Sequence, residues 1–121
     1  MNSPANTDTW DHDGALKRVR GKEARVLSLV VLFLRDMPER MCKIESALEQ
    51  SDLETVSSLA HAIKGVAGNL SGNVLTALAA ELELEAEASN ASSVNALWPK
   101  FHEEYKNLYA VLNQYHIEHA A

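Results

Sequence analysis

Apolar residues recur at intervals of three and four along most of this chain, and the polar or glycine-bearing gaps between the recurrences mark helix ends. Asp11 or Asp13 is placed to cap a short helix running through about Val19, with Gly21 ending it. From Lys22 to Asp36, Val26, Leu29, Val30, Phe33 and Leu34 keep helical spacing. Leu27, Val31 and Leu32 widen that stripe, which predicts a central, heavily buried helix. Met37-Pro38 predicts a break or kink followed by a segment to about Glu49 with Met41, Ile44 and Leu48 inward, although a single continuous helix also fits. Ser51 or Asp52 caps a helix over residues 52–70, and Ser71-Gly72-Asn73 closes it. The next helix, 74–88, turns Leu75, Leu78 and Leu82 inward. After a Ser89–Ser93 loop, Ser92 or Ser93 caps a last helix to about residue 117, whose stripe is Val94, Leu97, Trp98, Phe101, Tyr105, Leu108, Leu112 and Tyr115. Pro99 should kink its first turn or mark its true start. The pattern predicts an all-α antiparallel four-helix bundle over residues 10–118 with a short additional N-terminal helix, behind an unstructured lead-in over residues 1–9.

Within this frame the stretch Ser57–Gly72 carries the candidate chemistry. On a helical wheel Val56, Leu59, Ile63, Val66 and Leu70 fall within roughly 40° of one apolar direction. His61, Lys64, Gly65 and Gly68 cluster on the opposite side, so the imidazole faces solvent. Each interior glycine costs a helix about 1 kcal/mol relative to alanine, and two on one exposed stripe call for a reason. The reason is access: removing side chains at i+4 and i+7 opens room beside the ring, and Lys64 puts a cation within reach of whatever the ring carries. The plainer reading is a surface histidine in a helix that frays at its glycines.

Composition narrows the field further. At 121 residues the chain is long enough for one core without staples, and the lone Cys42 cannot form an internal disulfide, which fits a reducing compartment. Net charge is −6, and the basic residues Lys17, Arg18, Arg20, Lys22 and Arg25 form a short run without interleaved aromatics, a solvated turn rather than a nucleic-acid surface. The longest apolar run, Leu29–Leu34, is far too short to cross a bilayer, so the expectation is a soluble, monomeric, cytoplasmic domain, or the cytoplasmic part of an inner-membrane sensor. Glu81, Glu83, Glu85 and Glu87 fall on two faces with repelling i, i+4 pairs and no Glu-x-x-His to complete a metal site, so they are expected to form a solvated face. His102 lies off the last helix's stripe, and His116 and His119 lack further ligands, so no metal is expected there. There is no P-loop, Cys-x-x-Cys, Ser/His/Asp set or dinucleotide fingerprint.

His61-Ala62-Ile63-Lys64-Gly65-Val66-Ala67-Gly68-Asn69-Leu70, preceded by Ala60, resembles the phosphoacceptor motif of histidine-containing phosphotransfer (HPt) domains, HxxKGxxxxxG with small residues around the histidine. Trp10-Asp11, Ala15-Leu16, the run Leu32–Pro38, Ala47-Leu48 with Asp52, and Leu75, Leu78 and Leu82-Glu83 extend the resemblance to roughly residues 10–115. The chain departs from the pattern at Ser71, where family members commonly carry glycine. The resemblance implies a phosphorelay intermediate. His61 would accept a phosphoryl group from a receiver-domain aspartyl phosphate, through Nε2 in the family, and pass it to another receiver aspartate. Lys64 would stabilise the phosphoryl oxygens, and Gly65 and Gly68 would clear space for the docking receiver; Asn69, set about 80° from the histidine, is a weaker docking candidate, and a plain polar residue at the helix C-terminus is the favoured reading of it. No cofactor of its own is implied; a divalent metal, Mg, is expected on the response-regulator receiver. The competing expectation is an adaptor bundle that binds a partner without carrying phosphate.

Overall fold

In the computed structural model, which describes residues 9–120, the spacing resolves into five helices and no strand among the described residues. They are α1 (His12–Arg18), α2 (Glu23–Glu49), α3 (Leu53–Asn69), α4 (Asn73–Glu87) and α5 (Ala91–His119). The expected lead-in lies outside the described residues up to position 8, but Thr9 is buried against the bundle.

Three-residue turns join the long helices, and all three are built alike. Ser51, Ser71 and Ser89 each sit in the left-handed region, with φ of 55°, 60° and 57°. The following amide reaches back to close the preceding helix: Asp52 N to Ala47 O, Gly72 N to Ala67 O and Asn90 N to Glu85 O. That same residue then stands at the N-cap of the next helix, where Asp52 Oδ1 accepts from Thr55 N and Asn90 Oδ1 from Ser93 N. Turns this short reverse the chain, so α2 to α5 run antiparallel in sequence order, and α5 packs back on α2 to close the ring. Asn90, not Ser92 or Ser93, caps α5, because the tight turn leaves no room for the longer loop expected from the serine run.

Neither proline breaks its helix. Pro38 lies inside α2 and Pro99 inside α5, both on the solvent face. Each removes one i→i−4 hydrogen bond, but the orphaned carbonyl can be met by water, while Met37, Met41 and Ile44 hold α2 to the core on the other side. The core runs along Val26, Val30, Phe33, Met37 and Ile44 of α2 to Phe101, Leu108 and Leu112 of α5. The expected widening of the buried stripe of α2 is found only in part: Leu27 is half-buried, but Val31 and Leu32 are 39% and 42% exposed.

On α3 the buried line is Val56, Ala60, Ile63, Ala67 and Leu70, with Leu59 and Val66 only half-buried at its edge. Helix α4 likewise buries Ala79 and Ala86 beside Leu75 and Leu82, and leaves Leu78 half-buried. Hydrophobicity favours the leucines and valine over alanine, but the most extensive helix contact in the molecule, α3 on α4, is made through small residues that let the two axes approach. This close approach positions the site.

The N-terminal segment holds the end of α3. Trp10 Nε1 donates to Leu70 O at 2.7 Å, Asp11 N to Ser71 O at 3.0 Å, and Arg18 Nε to Ser71 Oγ at 3.1 Å. Asp11 itself caps α1 through Gly14 N. Ser71, where the family pattern favours glycine, adopts the left-handed conformation that glycine would supply, and its hydroxyl is used by Arg18.

Candidate functional site

His61 projects from the middle of α3 with its side chain 68% exposed. Across the α3–α4 seam Glu83 is 14% exposed, and its carboxylate forks between two partners. Oε2 lies 2.8 Å from His61 Nδ1, and Oε1 lies 2.7 Å from Lys64 Nζ. The Lys64 ammonium holds the Glu83 carboxyl below its ordinary range, and His61 adds to that pull against the opposing effect of burial. Glu83 is therefore an ionised acceptor at neutral pH. A neutral imidazole facing it carries its proton on Nδ1 and leaves the Nε2 lone pair directed away from the bundle. No hydrogen bond to Nε2 is made among the described residues.

A methyl group built on Gly65 meets nothing within 4 Å, and one on Gly68 meets only the Thr76 methyl at 3.8 Å. Gly65 thus leaves open space beside the ring, and a methyl group at Gly68 would make no more than an ordinary contact with α4. Beyond Gly65, Val66 and Asn69 join Leu29, Leu32, Asp36 and Arg40 of α2 in lining a shallow cleft. His61, Lys64, Gly65, Gly68 and Asn69 therefore share one continuous surface, with Lys64 at one edge and Asn69 at the other.

Glu83 is the residue that the sequence did not single out. The expected solvated glutamate face holds for Glu81 and Glu87, but Glu83 points into the α3–α4 seam, and Glu85 accepts from Asn90 Nδ2 at 2.9 Å. No local signal separates Glu83 from its neighbours, since its partners stand 19 and 22 positions upstream. Glu104 also lies off the expected stripe yet on the buried face of α5, 8% exposed, with Oε1 accepting from Asn107 and Oε2 unpartnered among the described residues. His102 is half-buried beside Trp98 and Tyr105. His119 stacks on Tyr115, and among the described residues no group of three or more metal-ligating side chains is found.

A helical bundle that holds one open imidazole beside a lysine and two glycines on an inner helix is the architecture of a phosphotransfer module. The sequence pattern of the Hpt domain matches residues 28–115, which span all four long helices, and the chain belongs to the Hpt domain family of two-component phosphorelays. Among solved structures, the chain is similar to the HPt domain of a sensor hybrid histidine kinase from Shewanella, with a TM-score of 0.87 and 21% identity over 94% of this chain and 98% of that one. It is also similar to histidine-containing phosphotransfer protein B from Pseudomonas aeruginosa PAO1, with a TM-score of 0.84 and 21% identity over 98% of this chain and 99% of the other. A search among curated protein sequences gives no match.

Proposed function

We propose that His61 is the phosphoacceptor of this domain and that Nε2 is the reacting nitrogen. The observation that carries this reading is the contact between Nδ1 and Glu83, which leaves Nε2 as the exposed lone pair. In the reaction, Nε2 attacks the phosphorus of a receiver's aspartyl phosphate. A P–N bond forms, the P–O bond to the acyl carbon's oxygen breaks, and the aspartate leaves as a carboxylate. The imidazole gains positive charge as it is phosphorylated, and Glu83 accepts the Nδ1–H that carries it. Lys64 stands one helical turn away, where its ammonium can turn from Glu83 toward the phosphoryl oxygens. Transfer onward to a second receiver aspartate is the same step reversed.

The chain's own part is nucleophile and charge support; a divalent metal and the acidic pocket belong to the receiver. The receiver is expected to cover Gly65 and the Leu29, Leu32 and Val66 cleft, where exposed apolar surface lies beside the histidine. Asn69, on the far wall of that cleft, is a docking contact rather than a participant in the chemistry.

The test is transfer of labelled phosphate from a panel of phosphorylated receiver domains to the wild type, His61→Gln and Gly65→Gln. Acid-labile, base-stable label on the wild type, none on His61→Gln, and at least about tenfold slower labelling of Gly65→Gln with unchanged helix content is the expected result. An unlabelled wild type with an intact bundle would instead favour the adaptor.

A further inference from the structure

The basic run that the sequence presents as a solvated turn has a more definite arrangement. Arg18, Arg20, Lys22 and Arg25, with Val19, line a single open cleft where α1 turns into α2. Among the described residues none of the four takes part in an ion pair, although the chain carries 17 acids against 11 lysines and arginines. Glu23, the one acid within the run, is engaged by His12 and Tyr115. Arg18 uses Nε on Ser71, which fixes its stem and leaves its terminal nitrogens without a partner among the described residues. The first turn of the 27-residue α2 opens beside the same cleft, and Lys22 at its N-cap makes no side-chain cap bond, so the helix end adds charge of the same sign.

Unpaired like charges gathered in one cleft repel one another, and of the four only Arg18 takes part in the packing of the bundle, through Ser71. A bound oxyanion removes the repulsion. Three of the four cations are arginines, whose planar forks match phosphoryl oxygens in pairs. Among the described residues the cleft has no aromatic wall to stack a base, and Val19 is its only apolar lining residue, so it offers little to a nucleoside or to a peptide's side chains. It lies beyond the end of α3, whose last residue, Asn69, stands eight positions and roughly 12 Å along the axis from His61, so it is separate from the phosphotransfer surface.

We propose that this cleft is a second binding site, for a multiply charged phosphate compound of the pyrophosphate or polyphosphate class held through its phosphoryl oxygens. The test is a titration of the whole chain with sodium pyrophosphate, followed by backbone amide chemical shifts, in the wild type, His61→Gln and Arg20→Gln/Arg25→Gln. Both arginines are exposed, so the double variant keeps its fold, as circular dichroism would verify. Saturable shifts at residues 18–25, unchanged in His61→Gln and weakened about tenfold both in the double variant and on a tenfold rise in salt, are the expected result. Absence of saturable shifts, equal affinity for sulfate, or no loss in the double variant would overturn the proposal. Tighter binding of a glutamate-rich peptide at the same amides would also overturn it, in favour of an acidic protein segment.

Discussion

Glu83 makes the site asymmetric at the scale of single atoms. One carboxylate oxygen sets the proton of His61 on Nδ1 while the other restrains Lys64, so two groups 3 positions apart on α3 are organised from α4. Replacing Glu83 by Gln keeps the shape but removes the charge that both partners need. In Glu83→Gln the ring nitrogen shifts of His61 should show a larger share of the Nε2–H tautomer, and phosphoryl acceptance should slow by about tenfold or more, as for other partners that orient a reactive imidazole. An unchanged tautomer ratio together with an unchanged rate would remove Glu83 from the mechanism. His61, Lys64, Gly65 and Gly68 were legible from the wheel because all four lie on one helix. Glu83 was not, because the contact that defines it crosses between helices and the alternating glutamates around it carry the same local signal.

The helices owe their ends to one repeated turn. Ser51, Ser71 and Ser89 accept a left-handed backbone that disfavours every residue with a Cβ. Ser89→Gly should therefore raise stability by about 0.5–1 kcal/mol in urea unfolding, the relief of left-handed strain outweighing the extra entropy of a glycine in the unfolded chain. Ser71→Gly should gain less, because it also loses the Ser71 Oγ to Arg18 Nε bond. A loss of stability in Ser89→Gly would show that the strain is not felt. The junctions themselves were readable from Gln50-Ser51-Asp52 and Ser71-Gly72-Asn73. The start of α5 was misplaced because Ser92 and Ser93 have the capping chemistry of Asn90, and only the turn geometry chooses among them. Pro38 and Pro99 misled in the same way: a proline's missing donor matters when its face is buried, and both face water.

Across the whole molecule, Glu23 ties three segments together, receiving Tyr115 Oη from the end of α5 and facing His12 Nε2 at 2.7 Å from α1. The Tyr115 hydroxyl, joined by His12 and opposed by burial, lowers the Glu23 pKa below its ordinary 4.5. A carboxylate depressed in the folded state contributes stability that is complete above its unfolded value and disappears as pH falls through the folded one. Glu23→Gln should therefore flatten the loss of stability below about pH 4.5, with thermal unfolding followed across that range. The phenol shifts the other way: burial, with Glu23 adding, raises the Tyr115 pKa, so its contribution persists through neutral pH and is lost only in strong base. An acid limb of equal slope in Glu23→Gln would mean that other carboxylates, such as Asp52 with its Thr55 cap, dominate it.

By itself the sequence determined the helical periods, the number of long helices, the exposed His61 with its lysine and glycine neighbours, and the family that such a motif resembles. These are local properties, set by residues within a turn or two of one another, and they survive whatever the helices pack against. The tertiary structure alone decided where on the apolar side of α3 the buried line falls, because Ala60 and Ala67 take its centre through the closeness they allow, with Leu59 and Val66 left at its edge. The same closeness brings Glu83 to His61 and Lys64, and the packing of α3 on α2 gathers Leu29, Leu32, Val66 and Asn69 into one cleft. Each depends on the distance and rotation between helices, which one-dimensional spacing does not encode.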